Sequence, residues 1–503
     1  MAPSLFSRAD AHRDRLAVVA PEGVYTFRDL VTSSATAATR LLAGRDDLEE
    51  ARVCLLVPPG WDWVAAHCGI WRAGGLSVPL GVTHPTAELA WVLDDAKPEA
   101  VVVHPDLVER VAPPAKARGI PLLSTSALLE PGPVGQLPDL DQGRRAMILY
   151  TSGTTGRPKG VVTTHGNIEA QVRALVDAWN WSEDDHILLT LPLHHVHGIV
   201  NVLVCSLWSG AVCQILPTFD ADEVWTRWER EDITLYMAVP TLYRRLIQAW
   251  ERADVDTQAQ WSRAAGYLRL MVSGSAPLPV PVLERWEEIT GHRLLERYGM
   301  TEIGMGLSNP LVGERRPGYV GQALPGVEVR LVDDDGRVAG PGVPGQIQVR
   351  GPGVFLEYWG RPEATADAFA PGGWFRTGDR AVLDGGSYRI LGRESVDILK
   401  TGGEKVSALE IEDVMRTHPA VADCAVVGVP DAEWGQRVCA AVVAADEFED
   451  VEELRAFVAE RLAPFKVPKE ILMVDALPRN AMGKVTKSEV AALFAPRDDG
   501  ESR

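Results

Sequence analysis

The sequence predicts an α/β fold class: a large N-terminal domain built from several subdomains, followed by a small α+β C-terminal domain. Three observations predict it. Apolar strand-like runs alternate with helical patterns through most of the chain. From about Gly318 the texture shifts to short strands and glycine turns. After Gly392-Arg393 it shifts again, to a compact set of helices and strands. A length of 503 residues fits about three domains. With 46% hydrophobic and 24% charged residues, the composition is that of an ordinary globular chain.

The elements follow in order. Met1-Ala2-Pro3-Ser4-Leu5-Phe6 has no basic region leading into an apolar stretch, and Asp10 and Asp14 weigh against an organelle signal. No run approaches about 18 uncharged apolar residues, so no membrane span is expected. Ala100-Val101-Val102-Val103 reads as a buried strand, and so does Ala146-Met147-Ile148-Leu149. Asn167 is placed to cap a helix from Ile168 to Trp179. Ile187 to Leu191 and Leu268 to Val272 read as strands, and Leu283 to Ile289 as a helix. Val327 to Val332 and Gln346 to Gly351 belong to a small β subdomain, about 318–392, which completes an N-terminal domain of residues 1–393. Residues 394–396 form the expected hinge. The C-terminal domain, 397–496, holds a helix from Leu409 to Thr417, strands Cys424 to Gly428 and Val438 to Val443, and a helix from Val451 to Leu462. The polar tail, 497–503, is expected to be disordered.

The six cysteines are scattered with no C-x-x-C pair, which reads as reduced core thiols in a cytoplasmic protein rather than a disulfide or zinc framework. A net charge of −19 argues against nucleic acid and membrane surfaces as partners, because both are polyanions. It also makes local basic groups more informative.

The most pointed string is Tyr150-Thr151-Ser152-Gly153-Thr154-Thr155-Gly156-Arg157-Pro158-Lys159-Gly160, directly after an apolar strand. Thr151, Ser152, Thr154 and Thr155 supply hydroxyls, and Lys159 supplies a point charge. Gly153 and Gly156 let the backbone approach a ligand without Cβ interference. Those are the groups a polyphosphate needs. The string is not a Walker A loop, since Pro158 precedes the lysine and Gly160 follows it.

Further motifs stand in fixed order behind this loop. They are Tyr298-Gly299-Met300-Thr301-Glu302, Trp374-Phe375-Arg376-Thr377-Gly378-Asp379, and Pro478-Arg479-Asn480-Ala481-Met482-Gly483-Lys484. Together with Ala73 to Leu80, Asp94 to Pro98 and Gly345 to Gly351, they resemble the adenylate-forming superfamily of acyl-CoA synthetases, peptide-synthetase adenylation domains and firefly-type luciferases. The likeness runs from about Thr26 to Lys487. It implies the adenylate-forming fold and a two-step reaction using ATP, Mg²⁺ and coenzyme A. A carboxylate attacks the α-phosphorus, giving acyl-adenylate and pyrophosphate, and a thiol then displaces AMP.

The resemblance also implies roles. The loop would hold phosphates. Tyr298 would stack on adenine beside Gly299, Thr301 would reach the α-phosphate, and Glu302 would be the magnesium ligand. Asp379 would accept from both ribose hydroxyls, with Arg393 beside it. Lys484 would reach the reacting oxygens. For the second step the family rotates its small domain; here Ser395, where many relatives carry Asp or Lys, would be the pivot, and Gly402 and Gly403 would face coenzyme A.

The strings Leu191-Pro192-Leu193-His194-His195-Val196-His197-Gly198 and Leu295 to Met305 resemble the malonyl-CoA synthetases, including mitochondrial animal members. That implies a small dicarboxylic acid, malonate or methylmalonate. Arg297, Arg245 and Ser275 would grip the distal carboxylate, His195 would flank the site, and Val196 and Met305 would line the small pocket. A forked, fixed-charge guanidinium suits the task. Two points stay open: Arg297 pairing with Glu296 instead, and Arg244 rather than Arg245 pointing inward. The competing functions are a stand-alone adenylation enzyme loading a carrier protein, and a CoA ligase for another small acid. The expected assembly is a monomer or dimer.

Overall fold

The computed structural model describes residues 4–151, 158–401, 404–431, 434–445, 448, 450–479 and 484–494. Among them, four β-sheets organise the chain. The first has seven strands; five are parallel, centred on Arg52–Leu56, Leu76–Pro79 and Ala100–Val103, and the hairpin Arg145–Thr151 and Lys159–Thr164 turns its edge antiparallel. The second has nine strands and a parallel centre that includes His186–Leu189, Leu235–Ala238, Leu270–Ser273 and Leu295–Met300.

Strand alternation stacks these sheets into layers. Leu55 and Ile187 face one shared core, which also takes the buried faces of the helices Phe27–Leu42, Trp61–Arg72 and His165–Ala178. Their neighbours face the other way. Cys54 and Leu56 join a core under the first sheet, and Leu188 joins a tryptophan-rich core of Trp225, Trp228 and Trp286 under the second.

A third sheet, built on Glu328–Val332, Gly345–Arg350, Trp374–Asp384 and Ser387–Arg393, packs in a further core with Val161, Ile303 and Tyr358. The fourth carries Ile398–Thr401, Val421–Asp431, Gly435–Ala444 and Glu470–Met473, with separate apolar clusters on its two faces. A turn over 394–397 joins the third sheet to the fourth. The two parts are called the large and small lobes below.

The expected helices form with shifted ends. The helix expected from Ile168 is His165–Ala178, capped by Thr164 rather than Asn167. Asn167 sits three residues inside, where its side chain accepts the Thr164 N–H while its own N–H donates to the Thr164 hydroxyl. The small-lobe helix Val451–Ala459 stops short of the expected Leu462. All six cysteines are buried thiols. Among the described residues, no helix is long and apolar enough to cross a membrane. The expected tail lies outside the described residues.

Candidate active site

Segments from both lobes converge on one region. The hairpin flanking the glycine-hydroxyl string is described up to Thr151 and again from Pro158, with Thr151 facing Lys159. Ser152, Gly153, Thr154, Thr155 and Gly156 lie outside the described residues, as do Gly402 and Gly403. The hairpin's base is anchored by the Tyr150 hydroxyl, which donates to Asp95 at 2.9 Å, and Asp95 also accepts from Arg361 at 2.7 Å. The Lys159 ammonium lies 5.0 Å from the centre of the Tyr358 ring. The Tyr358 hydroxyl in turn donates to Glu302 at 2.9 Å.

Glu302 follows the strand Leu295–Met300, which doubles back into Gly304–Ser308 with an irregular register at Tyr298 and Gly299. The crossing is tight enough to need glycine: a Cβ on Gly299 would sit 2.1 Å from the Gly304 carbonyl oxygen and 2.5 Å from the Met305 methyl. Met305 is buried beneath it, and Thr301 is half-buried in the turn. Burial raises the pKa of Glu302. A buried carboxylate with one oxygen on a tyrosine hydroxyl keeps lone pairs for a hard cation, so the donor chemistry fits magnesium.

Asp379 stands opposite Arg393 in the third sheet. Arg393 donates to it from Nε at 2.9 Å and from Nη2 at 3.3 Å, and Tyr298 donates from its hydroxyl at 2.6 Å. Burial works against the Arg393 charge, but the Asp379 carboxylate lifts its pKa above the ordinary value.

Arg297 is 2% exposed. Adjacent strand residues face opposite ways, so Glu296 points off to accept from the Leu278 N–H at 3.3 Å, and the Glu296–Arg297 pair is not made. Among the described residues, Arg297 Nε and Nη2 have no hydrogen-bond partner, and Nη1 lies 3.5 Å from the Ser275 hydroxyl. Gly274 makes room for it, since a Cβ there would sit 2.5 Å from Nη1. Ser275, at φ 70°, also hydrogen-bonds His197 at 3.2 Å. His197 opens a π-helical stretch, His197–Val204, and half-buried Val196 precedes it.

The electrostatics of this corner are one-sided. Burial pushes Arg297 down to about 9, still charged at neutral pH. Burial, then Lys484 and His84, pushes His195 down to about 4. Burial, then Arg297, lowers His197 well below its ordinary value. The imidazoles therefore stay neutral beside two cations. The second is Lys484: the residue is exposed as a whole, yet its ammonium is crowded by protein, and its pKa falls through burial first, then Arg393 and Arg297.

Arg245 is the residue the structure does not bring into this group. On the helix Pro240–Arg252, Tyr243 is buried and donates to the Val272 carbonyl at 3.0 Å, which fixes the helix phase and leaves Arg245 exposed. Arg244 lies 3.5 Å from Asp423 of the small lobe. Ser395 is exposed in the turn between lobes. Sequence reasoning missed Tyr358 and His84, which stand in no motif. It also passed over Gly274, whose place next to Ser275 was the available signal.

Glu296 gives a first prediction. Burial raises its pKa from 4.5 to about 8. A carboxyl raised on folding contributes stability that is complete below about 4.5 and is lost as pH climbs through about 8. Each unit is worth about 1.4 kcal/mol. Glu296→Gln removes that loss, so its melting temperature should match the parent at pH 5 and exceed it at pH 9. Equal melting temperatures at pH 9 would refute the assignment.

Comparison with known proteins gives a coherent set of likenesses. The AMP-binding enzyme profile matches residues 5–359, and the AMP-binding enzyme C-terminal domain profile matches residues 410–484. A mitochondrial malonate–CoA ligase of Bos taurus is 45% identical, covering 99% of this chain and 91% of its own. The crystal structure of ATP-bound MatB from Rhodopseudomonas palustris is 35% identical, covering 98% and 99% of the two chains, with a TM-score of 0.90. A malonyl-CoA ligase ternary product complex with methylmalonyl-CoA and AMP bound is 37% identical, covering 95% and 100%, with a TM-score of 0.70.

Proposed function

Because the chain belongs to the AMP-binding enzyme family, we propose that it is an ATP-dependent malonate–CoA ligase, accepting malonate or methylmalonate. It activates the acid as an acyl-adenylate and releases pyrophosphate, then transfers the acyl group to coenzyme A and releases AMP. The observation that carries the choice of acid is Arg297, a buried guanidinium with Nε and Nη2 unpartnered among the described residues, in the same corner as Lys484. An arginine there has no task with an apolar acyl chain. With a dicarboxylate it meets the distal carboxylate while the other carboxylate attacks.

The chain's own residues divide the work. In the first step a carboxylate oxygen bonds to the α-phosphorus and the bond to pyrophosphate breaks. The nucleophile is already ionised, so no general base is needed; the obstacle is repulsion between anions. Lys484 would meet the charge on the transferring phosphoryl group, and Lys159 and the string before it would hold the leaving phosphates. Glu302, fixed by Tyr358, would hold magnesium, which when bound neutralises phosphate charge. Asp379, already set by Tyr298 and Arg393, would accept the ribose hydroxyls. Neutral His195 and His197 leave the positive charge to Arg297 and Lys484. In the second step the thiol sulfur bonds to the acyl carbon and AMP leaves.

The domain division is part of the same reading: residues 1–393, a hinge at 394–396 with Ser395 as pivot, and a mobile unit beyond it. The higher TM-score with the ATP-bound relative than with the product complex, at nearly equal identity, supports reading this arrangement as the adenylate-forming one. We place the protein in the cytoplasm, where six buried thiols suit a reducing environment. The assembly we propose is a monomer or dimer.

The test is pyrophosphate release with acetate, propionate, malonate, methylmalonate and succinate, each with and without coenzyme A. Malonate or methylmalonate should lead, with AMP release dependent on coenzyme A. Equal turnover of acetate would overturn the dicarboxylate reading, and AMP release that ignores coenzyme A would favour a carrier-protein loader.

A further inference from the structure

We propose that Asp423 is a positioning residue for Lys484: it docks the small lobe onto Arg244 of the large lobe and holds the segment that carries the lysine. The proposal rests on the adenylate-forming reading above.

Asp423 lies on the strand Val421–Asp431 and is largely buried. Three guanidinium groups surround its carboxylate. Arg244 reaches it from the large lobe at 3.5 Å, Arg479 donates to it at 2.5 Å, and Arg416 stands 3.8 Å away. Arg479 forms an antiparallel bridge with Val485, so fixing Arg479 fixes both ends of the segment in which Lys484 lies. The far flank is fixed as well. Lys487 donates to Glu412 and to the Val426 carbonyl, the latter at 2.6 Å, and stands 3.6 Å from Asp397 in the turn between lobes. Glu412 is 3% exposed and also accepts from the Val426 N–H at 2.8 Å and from Arg416 at 3.1 Å. Arg416 thus links the carboxylate on one flank of Lys484 to the carboxylate on the other.

This matters because a lysine side chain has four flexible carbons and only the backbone beneath it can aim it. Within the small lobe the network holds Arg479 on one side of Lys484 and Lys487 on the other. The contact with Arg244 sets the lobe. Lys405 and Asp334, 2.7 Å apart, and the Ser407 hydroxyl donating to the Leu391 carbonyl also join the lobes, far along the sequence from Lys484. Arg244 differs in reaching the carboxylate that itself holds Arg479. Its side chain is half-buried and belongs to no hydrophobic cluster, so its replacement leaves both hydrophobic cores intact.

The test has two arms. In the first, spin labels at Val255→Cys and Glu489→Cys, both exposed positions on opposite lobes, report the interlobe distance without substrate. Arg244→Glu should shift or broaden that distance, and Arg244→Lys should keep it. In the second, malonate-dependent pyrophosphate release should lose kcat by about tenfold in Arg244→Glu, with the KM for acid unchanged. Thioester formation from supplied malonyl-adenylate should persist, and Arg244→Lys should restore the first half. Unchanged distance and kcat would overturn the proposal. So would equal loss of both half-reactions, or a raised KM at constant kcat, which would make Arg244 a substrate residue. If the labels respond as expected but the parent protein activates none of the acids, the docking role stands and the ligase reading fails.

Discussion

Lys484→Ala should abolish acyl-adenylate formation while sparing thioester formation from supplied malonyl-adenylate. The ammonium sits in a corner where Arg393 and Arg297 also press on its pKa, so its charge is focused where the acid and the nucleotide would meet. A preorganised group aimed at developing charge contributes about 10²–10³ in rate, and the neighbouring ammonium of Lys487 is turned to Glu412 instead. The second half-reaction breaks the bond to AMP at carbon and has no phosphoryl charge to stabilise. Pyrophosphate release and single-turnover thioester formation, measured side by side, check the asymmetry. Equal loss of both halves would remove Lys484 from its assigned role.

Arg297→Ala should lower malonate kcat/KM by a factor on the order of 10² or more and leave acetate turnover unharmed. The basis is the cost of leaving one partner of a buried charge pair alone, about 2–5 kcal/mol. At an effective dielectric of 20, unit charges 4 Å apart attract by about 4 kcal/mol before desolvation. Arg297 is enclosed, its Nη1 meets only a serine hydroxyl, and among the described residues no carboxylate hydrogen-bonds its Nε or Nη2, so an incoming carboxylate meets no acid already in place. The ratio of malonate to acetate kcat/KM is the measurement. A ratio that does not move would sink the dicarboxylate reading.

Much of this was legible in the chain. The alternation of strands and helices follows from apolar periodicity, which is local, and the family motifs are contiguous strings. Arg297 could be singled out because an arginine is conspicuous beside Tyr298-Gly299. What the sequence left open depends on geometry at longer range. Choosing between Arg244 and Arg245 needs the rotational phase of their helix, and that is set by Tyr243 bonding to a strand 29 residues away. Tyr358 meets Glu302 across 56 residues, with no spacing rule to announce it. The N-cap at Thr164 was missed because Asn167 is an equally good capping residue type, and the reciprocal pair resolves only when both bonds are seen.

The separation of the hydrophobic clusters has a consequence for how this protein comes apart. Among the described residues, no apolar cluster draws side chains from both sides of the 394–397 turn. By contrast, the two large sheets share one cluster and cannot lose their packing independently. Cooperativity follows shared burial, so the large lobe should melt as one unit and the small lobe as another. Calorimetry should resolve two transitions, with Glu296→Gln moving only the one that belongs to the large lobe; a single transition moved as a whole would contradict this. Damage to the small lobe can then silence the enzyme while most of the chain stays folded.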